Sequence, residues 1–151
     1  MKQLDVCLTP ELLHLHKLDN SIVVVADIFR ATSCMVTGLA YGIKSITPVA
    51  SIEECKLLQD KGYIAAAERD AHKVEGFDLD NSPFSYMDER LIGSEVAMTT
   101  TNGTLSISKA KAEAVKVMVG SFLNLGALTN YLRSEPYDIL VLCAGWKGRP
   151  N

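Results

Sequence analysis

The stretch "SIVVVADIFRATSCMVTGLAYG", residues 21–42, changes character at its middle. Ile22 to Val25 is an unbroken β-branched run, the pattern of a strand buried on both faces. From Ala31 the spacing of Met35, Leu39 and Ala40 is helical, and Gly42 stands where a helix C-terminus needs a glycine. Between strand and helix lie Asp27 and Arg30, then Thr32 and Ser33 at the helix start. A buried parallel strand followed at once by a helix is half of a βαβ unit. It decides the fold class.

The same alternation continues on both sides. "QLDVCLT" reads as a short strand before it and "ELLHLHKL" as a turn of helix. After it come the strand "IKSITPVA" and the helix "SIEECKLLQDKG", which opens on a Ser51-x-x-Glu54 capping box. "YIAAAE" is a strand, and "SPFSYMDERL" places Pro83 at a helix N1 position. "SEVAMTTT", "AVKVMVGSF" and "YDILVLCAG" are strands, with helices over "GTLSISKAKAE" and "NLGALTNYLRSE" between them. Strands separated by helices of this length require right-handed crossovers. The expected fold is therefore α/β: three layers, α/β/α, on a mostly parallel or mixed sheet, with residues 1–151 as a single domain. A buried last strand running into a glycine loop at Gly145 normally feeds a further helix. The sequence is thus expected to be the N-terminal portion of a longer chain.

At 151 residues the chain is long enough for one well-buried core. Apolar residues make up 48% and charged residues 22%, a globular composition, and the net charge of −3 gives no footprint for nucleic acid. No apolar run reaches the length that spans a bilayer, and Asp5 and Pro10 break up the start as a signal peptide. Cys7, Cys34, Cys55 and Cys143 are far apart without a C-x-x-C, and read as reduced core residues of a cytoplasmic protein.

In open α/β sheets, ligands bind beyond the carboxyl ends of the strands, where helix N-termini point inward. Four such ends carry polar clusters. In "ADIFRATS", Asp27 suits a Mg²⁺ ligand or a nucleophile, and Arg30 can fork onto an anion. The bland alternative is a helix cap at Thr32 or Ser33 beside an Asp27–Arg30 pair. "AAERDAHKVEGFDLDNSP" gathers Glu68, Arg69, Lys73, Asp78, Asp80, Asn81 and Ser82, or is a solvated loop. "MTTTNGTLS" sets Thr100, Thr101, Asn102 and Thr104 around Gly103, so backbone N–H groups can approach a phosphate or sulfonate; a hairpin turn at Asn-Gly is the alternative. "CAGWKGRPN" adds Gly145, Lys147, Gly148 and Arg149.

Other motifs fall away. There is no G-x-G-x-x-G and no G-x-x-x-x-G-K-[ST]. A haloacid-dehalogenase-like site needs a second aspartate two residues after the first, where Phe29 stands. His14 and His16 read as surface residues, His72 as a weak acid/base candidate, and Cys34 as core.

Taken in order, "VVVADIFRATS", "ERDAHKVEGFDLDNSP", "TTTNGT", "GSFLN" and "LCAGWKG" resemble the 2-phosphosulfolactate phosphatases of coenzyme M biosynthesis, over essentially the whole chain. The resemblance implies a Mg²⁺-dependent phosphatase that hydrolyses 2-phospho-3-sulfolactate to 3-sulfolactate and phosphate, and a homodimer. It implies Asp27, Arg30 and Glu68 as catalytic residues and Asp27, Glu68 and Asp78 as metal ligands. Substrate contacts would come from Thr32, Ser33, Arg69, Lys73, Asn81, Ser82, Thr100, Thr101, Asn102, Gly103 and Thr104. Three departures stand out. Asp80 replaces the family's usual glycine, Leu105 occupies a place that is often basic, and the family continues beyond the Ala-Gly loop with acidic residues and further helices. A phosphatase acting on another small phosphomonoester, and a non-catalytic anion-binding module or inactive fragment, are the rival readings.

Overall fold

The computed structural model describes residues 2–69 and 72–150. Among the described residues eight strands run, seven of them as expected and β5 in addition within the charged stretch: β1 (Leu4–Cys7), β2 (Ser21–Ala26), β3 (Ser45–Pro48), β4 (Ile64–Arg69), β5 (His72–Lys73), β6 (Glu95–Thr99), β7 (Lys116–Gly120) and β8 (Asp138–Cys143). The helices are α1 (Ala31–Ala40), α2 (Ile52–Gln59), α3 (Gly103–Lys111) and α4 (Leu125–Ser134). Short 3₁₀ turns fill Pro10–Leu15, Pro83–Tyr86, Glu89–Leu91 and Phe122–Asn124. Helices lie on both sides of the strands, as the three-layer α/β reading requires. The sheet, however, is divided.

One sheet has the order β1-β8-β2-β7 and is parallel throughout; the other has the order β3-β6-β4-β5, with only β5 antiparallel. The division follows from which strands find each other. β2 lies between β7 and β8, whereas β6 lies between β3 and β4. α1 and α3 touch strands of both sheets, so these two helices form the shared layer. Their packing merges Val23, Val25, Leu140 and Leu142 of one sheet with Ala66, Val96 and Met98 of the other, through Met35, Ile107 and Ala110, into one core. A second, smaller core under α2 holds Cys55, Ala65, Ala67, Phe77 and Ala97. The alanines of "IAAAE" thus serve both faces of β4, and their small size lets the layers come close.

Local signals hold with small differences. Ser51 Oγ accepts from Glu54 N–H at 3.1 Å, but Glu54 Oε2 reaches back to Ala50 N–H rather than to Ser51. Gly42 has φ +101°, the left-handed conformation that favours glycine after a helix. The helix expected from Pro83 is reduced to two 3₁₀ turns, from which Tyr86 and Leu91 are the buried side chains. Tyr86 is fully buried against α1, and its hydroxyl donates to Asp80 C=O at 3.2 Å. Asp80 itself is not left-handed: Lys147 alone among the described non-glycine residues has positive φ. The Asp80 carboxylate instead accepts from Ser82 N–H (2.9 Å) and Ser85 Oγ (2.7 Å), so this aspartate caps the turn.

Tyr86→Ala removes the largest fully buried side chain and is expected to cost about 3–5 kcal/mol. Tyr86→Phe, losing one hydrogen bond, should cost about 1 kcal/mol. Urea unfolding of the two variants checks both values.

Candidate active site

The carboxyl ends of β2, β4, β6 and β8 converge on one cavity of about 300 Å³. Asp27, Arg30, Glu68, Asn81, Thr100 and Asn102 supply its polar lining. Asp27 is the first residue beyond β2 and is half-buried. Its backbone is fixed by Thr32 in both directions: Asp27 N–H donates to Thr32 Oγ1 (3.1 Å), and Thr32 N–H donates to Asp27 C=O (3.0 Å). Thr32 Oγ1 also donates to Gly120 C=O at 2.8 Å, tying this loop to the end of β7. Ser33 Oγ donates to Ile28 C=O at 2.8 Å. Thr32 and Ser33 therefore shape the loop that presents Asp27.

The backbone N–H groups of Ala31 and Gly103 face the Asp27 carboxylate and favour its charged form. These are the first residues of α1 and α3, so two helix N-termini meet at one carboxylate. Gly103 is required by this approach. A Cβ there would sit 2.7 Å from Ala31 Cβ and 2.8 Å from Asp27 Oδ2. Burial nevertheless wins: it raises the Asp27 pKa above the usual carboxylate value, Glu68 adds to the rise, and the Ala31 and Gly103 N–H groups only partly offset it.

Glu68 is buried at the end of β4 and faces the same cavity. Two carboxylates on one small cavity repel each other, a disposition that a hard cation relieves with oxygen ligands. On that ground Asp27 and Glu68 fit Mg²⁺. Asp78 does not join them. Its carboxylate accepts from Ala65 N–H (2.8 Å) and Gln59 Nε2 (3.3 Å), at the opposite end of β4 from Glu68. No group of three or more metal-binding side chains forms among the described residues.

The other expected contacts divide. Arg30, at the N-cap of α1, lines the cavity, as does Asn81, whose Oδ1 faces Cys34 Sγ at 3.5 Å. Asn102 lines it too, with Oδ1 accepting from Lys147 N–H at 3.0 Å. That bond ties the loop after β8 to the start of α3. The Asn-Gly pair is thus a helix start, not a hairpin. Thr100 and Thr104 hold each other: each N–H donates to the other's Oγ1, at 3.2 and 3.3 Å. Arg69 points elsewhere. Its guanidinium donates to Glu68 C=O (2.7 Å) and Thr99 Oγ1 (3.1 Å), and it lines a second cavity with Thr100, Thr101 and Thr104. The Thr101 hydroxyl is buried there without a partner among the described residues. Lys73 is exposed on β5, opposite Glu68, and Ser82 serves the Asp80 turn through its N–H. Neither lines the main cavity.

Residues that strand-end reasoning passed over complete the cavity wall: Phe29, Phe122, Cys143 and Trp146. Phe29 is 87% exposed at its mouth. Cys7, Cys34 and Cys55 are buried free thiols, and burial pushes Cys34 up to about 12, which keeps it unreactive. Cys143 departs from the core reading: it is half-exposed and faces the cavity. As the last residue of β8 it sits where the strand-end rule points, and its position was the available signal.

These features define an α/β protein with an acidic site, rimmed by an arginine and two helix N-termini, at the carboxyl ends of its strands. A model of the family described as 2-phosphosulpholactate phosphatase matches residues 7–151. The probable 2-phosphosulfolactate phosphatase of Thermotoga petrophila is 44% identical over 126 residues, covering 83% of this chain and 54% of the relative. That of Caldicellulosiruptor saccharolyticus is 42% identical over 135 residues, covering 85% and 55%. That of Clostridium perfringens is 38% identical over 152 residues, covering 97% and 61%. The chain belongs to the 2-phosphosulfolactate phosphatase family. It spans between one half and two thirds of the length of these curated relatives.

The raised Asp27 pKa has a definite sign. The folded state binds this proton more tightly than the unfolded chain, so its contribution favours folding below the unfolded pKa of about 3.9 and is lost as pH rises through the folded value. In metal-free buffer, Asp27→Asn is expected to unfold at higher urea than the native chain at pH 7. That advantage should vanish below about pH 4.

Proposed function

We propose that this chain carries the catalytic centre of a Mg²⁺-dependent phosphomonoester hydrolase acting on 2-phospho-3-sulfolactate. The products are 3-sulfolactate and phosphate. The observation that carries the reading is the shared cavity of Asp27, Glu68 and Arg30 beneath two helix N-termini. Family membership supports the reaction class, and the substrate follows from the relatives, which are named probable 2-phosphosulfolactate phosphatases.

Phosphoryl transfer is catalysed mainly by positioning and electrostatics. A substrate bearing phosphate, carboxylate and sulfonate needs cationic partners, and Arg30 supplies a planar fork at the cavity. When bound between Asp27 and Glu68, Mg²⁺ would neutralise charge on the transferring phosphoryl group. Asp27 can act in either of two ways. Its oxygen attacks phosphorus and the alcohol oxygen leaves, after which water cleaves the acyl phosphate; or Asp27 takes a proton from a water that attacks directly. In both, one water is consumed and the P–O ester bond breaks. Thr32, Ser33 and the Thr100–Thr104 pair hold the loops that place these groups. The cytoplasmic homodimer expected from composition and resemblance is kept as part of the proposal.

A second reading, anion binding without turnover, is favoured by one observation: the match spans only 54% of the Thermotoga petrophila relative. The assay is phosphate release from 2-phospho-3-sulfolactate and from a panel of small phosphomonoesters, with Mg²⁺ and with chelator. Mg²⁺-dependent release by this chain is expected. Asp27→Asn should lower it by at least about 10²–10³-fold, and Glu68→Gln should raise the Mg²⁺ concentration needed. Unchanged Mg²⁺-dependent release by Asp27→Asn would refute the assignment. Release by the full-length relatives but not by this chain would leave it an anion-binding portion of an enzyme.

A further inference from the structure

The outer face of the β1-β8-β2-β7 sheet is only half covered. On β2, Ile22 and Val24 are buried, and Leu128 of α4 packs near Gly120 at the β7 side. Across β8 and β1 the face is open. Leu4 is 72% exposed and Val6 50%, while Ile139 and Val141, paired with them in register, are half-buried. Leu140 and Leu142, on the opposite face of the same strand, are buried. The result is an apolar groove of about 580 Å³, floored by Leu4, Val24, Ile139 and Val141 and walled by Leu125 and Leu132 of α4.

Parallel sheets are covered on both faces, because their crossovers lay helices there. The open part is two strands wide, about 10 Å at a strand spacing of about 4.8 Å. That is the diameter of one helix, about 10 Å. β8 has six residues, a length of about 20 Å; a helix rising about 1.5 Å per residue spans it with about 13 residues. The charged residues that line the groove are Lys2 and Arg133, and no carboxylate lines it among the described residues. The curated relatives have polypeptide to spare: the matches leave more than a third of each unaccounted for.

We propose that this groove seats an amphipathic helix with an apolar stripe and acidic flanks, supplied by the polypeptide that the relatives possess beyond the length matched here. The helix lies on β1 and β8 alongside α4. Ala26, Ile28 and Phe122 border both the groove and the Asp27 cavity, so the seated helix also reaches the wall of that cavity. The proposal does not depend on the phosphatase reading, because its test uses no substrate.

The test is thiol labelling at Val6, on the groove face of β1. Val6→Cys is made in this chain, and a cysteine is placed at the matching position of the full-length Clostridium perfringens relative. Leu57→Cys on α2, 61% exposed and under no groove, is the control in this chain, with its counterpart in the relative. Rates are taken over the background of the native cysteines. In this chain the two cysteines should react with a thiol reagent at comparable rates. In the relative, the Val6 position should react at least about tenfold more slowly than its control. Equal rates in the relative would overturn the proposal. So would slow reaction of Val6→Cys in this chain within a species of doubled mass, which would assign the groove to a second copy.

Discussion

One carboxylate sits where two helices begin. Asp27 follows β2, and the first N–H groups of α1 and α3 both face its carboxylate and favour its charge. Those groups have no partner within their own helices, and a carboxylate is their natural complement. The approach leaves no room for a side chain at Gly103. α1 and α3 are also the helices that join the two sheets, so the group that anchors the shared layer is the group that faces the cavity. Fold and site depend on the same contact.

The electrostatics of that contact pull in opposite directions. Helix termini favour the charged carboxylate; burial and Glu68 disfavour it, and the net effect raises its pKa above the usual carboxylate value. A site left in this state invites a cation and an anion together, because each relieves what the other aggravates. Mg²⁺ with a phosphate is such a combination. The separation of Asp78 from the pair sharpens the picture: its carboxylate is occupied at the far end of β4, so Asp27 and Glu68 are the two carboxylates left on the cavity.

Much of this was legible in the sequence. The run Ile22–Val25 announced a doubly buried strand, and every strand but the two-residue β5 and every main helix followed from periodicity and caps. The strand-end rule picked out Asp27, Glu68, Asn81 and Asn102, which do meet. Three features were not legible. Division into two sheets depends on pairing between strands far apart in sequence, and a strand's own pattern does not name its neighbour. Asp78 lies in the same charged stretch as Glu68, but the chain returns along β4 between them, and sequence distance says nothing of that. Thr32 carries a hydroxyl suited to a ligand, yet spends it on Gly120 C=O, a residue 88 positions away. Conversely, Cys143 read as core and Phe122 and Trp146 were not singled out, yet all three form cavity wall.

The account stands on the Asp27 carboxylate lying against the first N–H groups of α1 and α3. Proton–nitrogen correlation spectra of the native chain and Asp27→Ala test this directly. The amides of Ala31 and Gly103 are predicted to shift together when the carboxylate is removed. Those of Val49 and Ala65, bonded to Met98 C=O and the Asp78 carboxylate, should stay in place. Ala31 and Gly103 resonances that do not move when the carboxylate is removed would contradict it.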